Sequence, residues 1–294
     1  MKKIFFFSLV LVLVLMVSPE LTSAKTKVSF KKGTIRLYGK GKFKSRKYSR
    51  NKKVKKVIVG KNVTSICDRA FSDCTKLKKV VFNKKLKSIG HEAFMNTGIK
   101  KIHIFKKTNK IGDGAFYGCK KLQKITMPGT IKKYNRGDDE IGTIADKAKE
   151  VVFTSSTNVY TFTHINAAKY VVNKKDKKYI SVKGGIYQKS DYQCVRIPEL
   201  ETFTISDKST LFDLNNIYHS KYNVDDTYFS TNEQLKKIIL PKGISKIIYT
   251  KTANYNWDQK NYKPAIVPEV VVENTLIDEN SKKVLEEWLM ERKR

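Results

Sequence analysis

Residues 54–121 read VKKVIVGKNVTSICDRAFSDCTKLKKVVFNKKLKSIGHEAFMNTGIKKIHIFKKTNKIGDGAFYGCKK. The segment contains three successive copies of one unit, which align without gaps until their last residues. An Ala-Phe pair marks the same place in each copy, and Phe71, Phe94 and Phe116 are therefore 23 and 22 residues apart. A single copy cannot bury its own apolar face, so this spacing predicts coils that stack on one another.

The start of each unit has the pattern of a strand. In LKKVVF, the residues Leu77, Val80 and Phe82 fit the L-x-x-L-x-L pattern of a leucine-rich repeat, whose period is about 20–29 residues. Val80 and Phe82 alternate with exposed positions, as one face of a strand requires. We expect the phenylalanines of the Ala-Phe pairs to form one continuous stack inside a single core.

Further copies lie outward from this segment. They are LQKITMPGTIKKY from Leu122, a degenerate copy KEVVFTSSTNVY from Lys149, and LKKIILPKGISKII from Leu235. The repeat pattern is interrupted from Asn135, where NRGDDEIGTIADKAKE is polar and locally acidic.

Two helices are predicted outside the repeats. FTHINAAKYV, at residues 162–171, favours a short helix in place of a strand and turn. The last 15 residues, Asn280–Arg294, place Val284, Leu285, Trp288 and Leu289 on one helical stripe, with Asn280 or Ser281 as the cap. We expect this helix to close or flank the end of the stack.

SICDRAFSDC, SIGHEAF and KIGDGAFYGC resemble the BspA-like class of leucine-rich repeats, clearly over residues 33–135 and more weakly over 149–250. By that resemblance Gly33–Phe43 is a capping strand pair, and Tyr170–Pro198 is a hairpin inserted between repeats. The resemblance implies a bacterial surface or secreted protein that binds host or matrix components and has no catalytic residues. The chain departs from the family where Lys replaces the Ser and Thr that often occupy exposed strand positions.

The expected fold is mostly β: a leucine-rich-repeat solenoid with an N-terminal β cap, an irregular insert and a C-terminal helix. The expected segments are a signal peptide (1–24), the cap (25–53), clear repeats (54–135), degenerate repeats with inserts (136–250) and a C-terminal segment with the helix (251–294).

The N-terminus has the features of a secretory leader. Two lysines precede the apolar run Ile4–Val17, which is interrupted only by Ser8, and Thr22-Ser23-Ala24 supplies small residues for cleavage. The run is shorter than the roughly 20 residues that span a bilayer, so we expect cleavage after Ala24 and no transmembrane span. The predicted location is secreted or at the surface of a bacterial cell.

The residues that could support chemistry are few. By the resemblance, the equivalent cysteine fills a small buried slot, so Cys67, Cys74, Cys119 and Cys194 are expected to be mostly free thiols; a Cys67–Cys74 bridge is the alternative. The four histidines lack metal-ligand spacing, and no hydrolase or phosphate-binding motif is present. The sequence predicts no catalytic residue, metal site or cofactor. Asp138, Asp139 and Glu140 could hold calcium, but a solvated acidic loop is the simpler interpretation.

Charge is the main indication of function. The chain has 60 Lys and Arg against 27 Asp and Glu, a formal net charge of +33, which favours acidic polymers and anionic surfaces. Lysine recurs at one strand position, which stacking would convert into a column. The predicted polyanion-binding residues are Lys56, Lys79, Lys101, Lys124 and Lys237. A general lysine bias for solubility is the alternative explanation. Arg136, Gly137 and Asp138 also spell a tripeptide that integrins read, a weak match.

The leading functional hypothesis is a non-enzymatic, adhesion-like binder of an acidic extracellular protein or glycan. A wall polyanion is a further candidate, and nucleic acid is only an incidental partner. One alternative is a structural wall component without a specific ligand. Another is a glycan-active enzyme with its site in residues 136–294, which would need paired carboxylates facing one cleft.

Overall fold

A computed structural model of the chain describes residues 26–131, 143–158, 161, 164–214, 235–249, 268–274 and 277–293. Within these ranges the chain is a mostly β solenoid of stacked coils with one helix at the C-terminal end, as predicted. The leader and residues 132–142, which include the Arg-Gly-Asp tripeptide and the acidic residues Asp138, Asp139 and Glu140, lie outside the described residues.

The N-terminal half contributes the regular coils. Its strands are β1 (Lys27–Lys31), β2 (Thr34–Tyr38), β3 (Gly41–Phe43), β4 (Lys56–Val59), β5 (Val63–Ile66), β6 (Lys79–Val81), β7 (Ser88–Ile89), β8 (Lys101–His103), β9 (Lys110–Ile111) and β10 (Lys124–Met127). From β2 onward, successive coils contribute strands alternately to two parallel sheets. The first sheet consists of two hydrogen-bonded groups of strands. One has the order β1-β2-β4-β6, and the other begins with β8-β10 and continues with two strands of the C-terminal half. The second sheet has the order β3-β5-β7-β9.

The C-terminal half is less regular. Its elements are β11 (Ala145–Ala148), β12 (Glu150–Phe153), β13 (Ile165–Ala167), β14 (Tyr170–Val171), β15 (Tyr179–Val182), β16 (Gly185–Gln188), β17 (Cys194–Arg196), β18 (Thr202–Thr204), β19 (Leu211–Asp213), β20 (Lys237–Leu240), β21 (Lys246–Ile248), β22 (Glu269–Val272) and the helix α1 (Glu279–Lys293). Strands β12 and β14 continue the first sheet beyond β10, and β15-β16-β17 form an antiparallel sheet. The three-stranded sheet β18-β20-β22 and the two-stranded sheet β19-β21 repeat the two-sheet arrangement.

The core contains the predicted stack of aromatic rings. Phe71, Phe94 and Phe116 are fully buried, with near-parallel rings whose centroids are 5.4 Å and 5.6 Å apart. Phe43 extends the stack by one coil, 5.6 Å from Phe71. The prediction of one continuous stack is therefore confirmed. Because the neighbouring coil covers each ring, the ring is removed from water when the chain folds, which stabilises the solenoid.

Three successive regular coils turn through a left-handed backbone conformation at two equivalent places. The first is occupied by Arg69, Glu92 and Gly114, with φ of 55°, 49° and 59°. Glycine adopts this conformation without steric cost, whereas Arg69 and Glu92 adopt it with backbone strain. A favourable contact between their side chains can offset that strain. Arg69 Nε donates to Glu92 Oε2 over 2.6 Å, and this ion pair links the two strained positions.

Three local predictions need correction. Gly33–Phe43 is not a separate strand pair, because β2 is in register with β4 and β3 with β5; it is the first coil, and the hairpin partner that precedes it is β1. Residues 165–171 form strands β13 and β14 where a helix was expected, because they pair with β11 and β12 in the stack. The hairpin of Tyr170–Pro198 is present as β15-β16-β17, although Tyr170 itself belongs to the first sheet.

The C-terminal helix has nearly the predicted bounds, but a different cap. Ser281 N donates to Asp278 Oδ1 over 2.7 Å, so Asp278 satisfies the first turn. Ser281 instead points at the solenoid, where its Oγ accepts a hydrogen bond from Ile247 N over 2.8 Å. Trp288 is fully buried, and Val284, Leu285 and Leu289 pack beside it against the same core, as the stripe predicted.

All four cysteines are free thiols that fill space in the core or at its edge. Cys74 Sγ donates to Tyr48 O over 2.9 Å, and Cys119 Sγ to Phe94 O over 3.2 Å, so each occupies a small buried slot as expected. Burial raises the pKa of the Cys74 thiol to about 11 and that of Cys194 to about 12. The reactive thiolate is therefore suppressed at neutral pH.

This burial predicts slow thiol modification of the folded protein. At pH 8, a thiol reagent should label Cys67, which is half-buried, before the three buried cysteines. In denaturant, without reductant, all four should react at once. Fewer than four thiols in the denatured, unreduced chain would mean that a disulfide exists and that the packing described for these residues is wrong.

Candidate functional site

The predicted lysine column exists on the outer face of the first sheet. Lys56 on β4 is the register partner of Lys79 on β6, and Lys101 on β8 is the partner of Lys124 on β10. Lys79 and Lys101 are exposed, whereas Lys56 and Lys124 are half-buried. The parallel register arises because each coil starts its strand at the same point of the repeat, so one side-chain position recurs at about 4.8 Å steps.

The column ends at a carboxylate that the sequence analysis did not anticipate. Glu150 on β12 is the register partner of Lys124, and Lys124 Nζ lies 2.7 Å from Glu150 Oε2. The hydrogen bond from Lys124 lowers the pKa of Glu150 below its ordinary value. The charge of Lys124, one of the predicted polyanion-binding residues, is therefore compensated by a carboxylate.

Lys237 does not belong to this column. It lies on β20, in the separate sheet β18-β20-β22, between Thr202 and Glu269. Its Nζ lies 3.2 Å from Glu269 Oε2. No salt bridge within the described residues involves Lys56, Lys79 or Lys101. These three residues are the uncompensated part of the column. From here on, the name lysine column refers to these three residues alone.

A second row of side chains runs beside the lysine column, two residues farther along each strand. Its members are Ile58, Val81, His103, Thr126 and Val152. Val81 is 39% exposed, and His103 is exposed with its ring edge-on to Phe105 at 4.5 Å. The face therefore presents positive charge next to mostly apolar surface, which suits a ligand with both anionic and apolar parts.

The acidic residues of the regular coils lie elsewhere, at the turns that follow the second sheet. Arg50 Nε lies 4.0 Å from Asp73 Oδ2, and Arg69 pairs with Glu92 as described above. His91 Nε2 lies 3.0 Å from the other oxygen of Glu92, Oε1. Because these carboxylates are paired at the turns, they leave the charge of the lysine column uncompensated.

Some predicted sites are not tested by this geometry. Arg136, Gly137 and Asp138, the integrin-like tripeptide, lie outside the described residues. Within the described residues no group of three or more His, Cys, Asp or Glu could hold a metal ion. None of the helical segments that the structure describes is long and apolar enough to cross a bilayer.

The chain is similar, at low TM-scores, to several solved bacterial proteins. A leucine-rich repeat protein from Eubacterium ventriosum is 17% identical, with a TM-score of 0.39 over 76% of this chain and 66% of that one. The pneumococcal vaccine antigen PcpA is 15% identical, with a TM-score of 0.44 over 87% and 70%. A leucine-rich cell surface protein from Faecalibacterium prausnitzii is 16% identical, with a TM-score of 0.36 over 78% and 74%. A search of curated proteins found no match.

The sequence itself matches a family model. The model describes a BspA-type leucine-rich-repeat region, and it matches residues 42–137 in six copies. The matched residues include the coils that carry the phenylalanine stack and the lysine column. Residues 42–137 are therefore a leucine-rich-repeat region of the BspA type.

Proposed function

We propose that the chain is an extracellular or surface-bound bacterial protein that binds anionic polymers through the outer face of its first sheet. The observation that supports this most is the lysine column, three uncompensated lysines at equivalent positions of successive coils. The sequence features of a secretory leader in residues 1–24 support the location.

Folding alone gives no reason for lysine in this column. Two ammonium groups one strand apart repel by about 0.9 kcal/mol in water, and less in salt. The register partner of Lys56 on β2 is Thr34, so a small polar residue fits the same slot. On the second sheet, the hydroxyls of Ser65 and Ser88 lie 2.6 Å apart at a comparable outward position. A ligand that needs regularly spaced cations would account for the lysines.

The test compares two sets of three lysines on the same coils. Changing Lys56, Lys79 and Lys101 to Ser should weaken binding to immobilised heparin by about tenfold, because fewer counterions are released on binding. The matched control changes Lys61, Lys84 and Lys107, exposed residues that follow the same three strands, and should reduce affinity by no more than about twofold. The melting temperature of the column variant should stay equal or rise slightly.

A complementary variant makes the opposite prediction. Glu150→Gln removes the carboxylate that pairs with Lys124, so heparin affinity should increase and its salt dependence should become steeper. Equal losses from the column and control sets would show that only total charge matters. The proposal of a specific surface would then be wrong.

A further inference from the structure

A recess opens in the solenoid where the phenylalanine stack ends. Phe116 N donates to Ile144 O, as Phe94 N does to Ala115 O, so Ala145 takes the place that a phenylalanine would occupy in the next coil. Phe116 and Ile125 are nine residues apart, whereas Ala145 and Val151 are six apart. The corner of this coil is therefore shorter than the corner before it, and the two do not cover one another completely.

The recess has a volume of about 420 Å³ and a basic rim. Five exposed lysines line it: Lys100, Lys120, Lys121, Lys147 and Lys149. Leu122, Ala148 and Ala168 supply apolar lining. The volume falls within the range of about 300–1,000 Å³ that is typical of small-molecule sites, and it suits one or two sugar rings.

Two carboxylates also line the recess. Asp146 Oδ1 accepts a hydrogen bond from Gly118 N over 2.9 Å, which fixes the side chain at the wall. Glu199 is only 9% exposed. Five lysines and two carboxylates leave an excess of positive charge, and no salt bridge among the described residues involves any of the five lysines.

The mixture of groups selects a ligand class. Ammonium groups bind carboxylate or sulfate, whereas carboxylate oxygens accept hydrogen bonds from hydroxyl groups. An anion without hydroxyl groups would donate no hydrogen bond to Asp146, and a neutral sugar would leave the lysines uncompensated. An acidic sugar, which carries both hydroxyls and an anionic group, satisfies both sets.

We propose that this recess binds one acidic sugar unit, with Lys121, Lys147 and Lys149 holding its anionic group and Asp146 accepting hydrogen bonds from its hydroxyls. The inference rests on the proposed function and narrows its ligand to a glycan. Lys100 directly precedes Lys101 of the lysine column, so the recess lies at the start of the same strands. One polymer chain could then place a single unit in the recess and its neighbours along the column.

The test uses short oligosaccharides, because a tetrasaccharide can occupy the recess without binding along the whole lysine column. Calorimetric titration of the exported chain should detect binding of a sulfated heparin tetrasaccharide or a carboxylated hyaluronan tetrasaccharide, and the stronger of the two identifies the anionic group. Neutral chitotetraose should not bind measurably. Equal binding of the neutral and acidic sugars would overturn the assignment of the lysines.

Two kinds of variant locate the binding. The triple change Lys121→Ser, Lys147→Ser and Lys149→Ser should weaken tetrasaccharide binding about tenfold or more, whereas the control triple Lys61→Ser, Lys84→Ser and Lys107→Ser should change it less than about twofold. Ala168→Leu should give a similar loss by filling the recess with no change of charge. If Ala168→Leu does not fold, the two triple variants decide the question alone.

The column variant separates this inference from the proposed function. Changing Lys56, Lys79 and Lys101 to Ser should weaken the binding of long heparin chains but leave tetrasaccharide affinity nearly unchanged. Tetrasaccharide binding that survives in the recess triple would overturn the recess inference, while the loss of long-chain binding in the column variant would still support the proposed function. If long heparin chains bind the column variant as tightly as the parent protein, the proposed function is wrong. A loss of tetrasaccharide binding in the recess triple would still support the recess inference.

Discussion

Replacing Phe94 with Ala is expected to lower the free energy of unfolding by about 3–5 kcal/mol. Phe94 is fully buried between Phe71 and Phe116, and Phe82 meets its ring edge-on at 5.7 Å. The truncation removes contacts with the coils on both sides, and the neighbouring rings cannot close the cavity without shifting whole coils. Urea denaturation followed by circular dichroism would measure the loss.

Tyr117→Ala is the matched control for that experiment. Tyr117 is an aromatic residue of the adjacent coil, next to Phe116 in sequence, but its side chain is 49% exposed. Its removal should change the stability by no more than about 0.5 kcal/mol. A Phe94 variant as stable as the Tyr117 variant would contradict the stack as the central element of the core.

Trp288→Ala should have an effect of similar size, about 3–5 kcal/mol, but confined to the C-terminal end. Trp288 is the largest fully buried side chain described; it shares a core cluster with Ile247 of β21, the strand against which α1 packs. In a solenoid each coil mainly contacts its neighbours, so the loss of one end coil need not unfold the others. We expect the last coils to open while the phenylalanine stack remains folded.

Hydrogen exchange measured by mass spectrometry would separate local from global opening. Amides of β20 and β21 should lose protection in the Trp288 variant, whereas those of β5 and β7 should keep it. Met290→Ala is the control, because Met290 lies two residues away on the same helix and is 55% exposed. Uniform loss of protection along the whole chain would show that the solenoid unfolds as one unit.

The regular coils were predictable because they repeat. A fixed spacing of Ala-Phe pairs places equivalent residues in register, so Phe71, Phe94 and Phe116 had to meet once the coils stacked. Residues 165–171 lack that repetition, and their local preference suggested a helix. Pairing with β11 and β12 prevailed, because tertiary contacts commonly override weak helix propensity.

The binding face could be predicted only in part, for a similar reason. Lys56, Lys79 and Lys101 follow from the repeat, but the ion pair of Lys124 depends on Glu150, which lies in a degenerate copy beyond the irregular segment. The recess escaped sequence analysis because it results from a shortened corner rather than from a motif. The six-residue spacing of Ala145 and Val151 was the available signal, but it is informative only once Ala145 is known to stand in the place of Phe116.

The direction of β1 bears on how the protein behaves at high concentration. From β2 onward the strands of the first sheet run parallel, so an open edge at β2 would be a template on which a second chain could add its own coils. Such head-to-tail addition does not close on itself and leads to filaments. Because β1 pairs with β2 in the antiparallel direction, it covers this edge of the parallel strands. A second chain therefore meets an antiparallel strand with Lys27 and Lys31 exposed at its ends, which disfavours the addition of a further parallel coil.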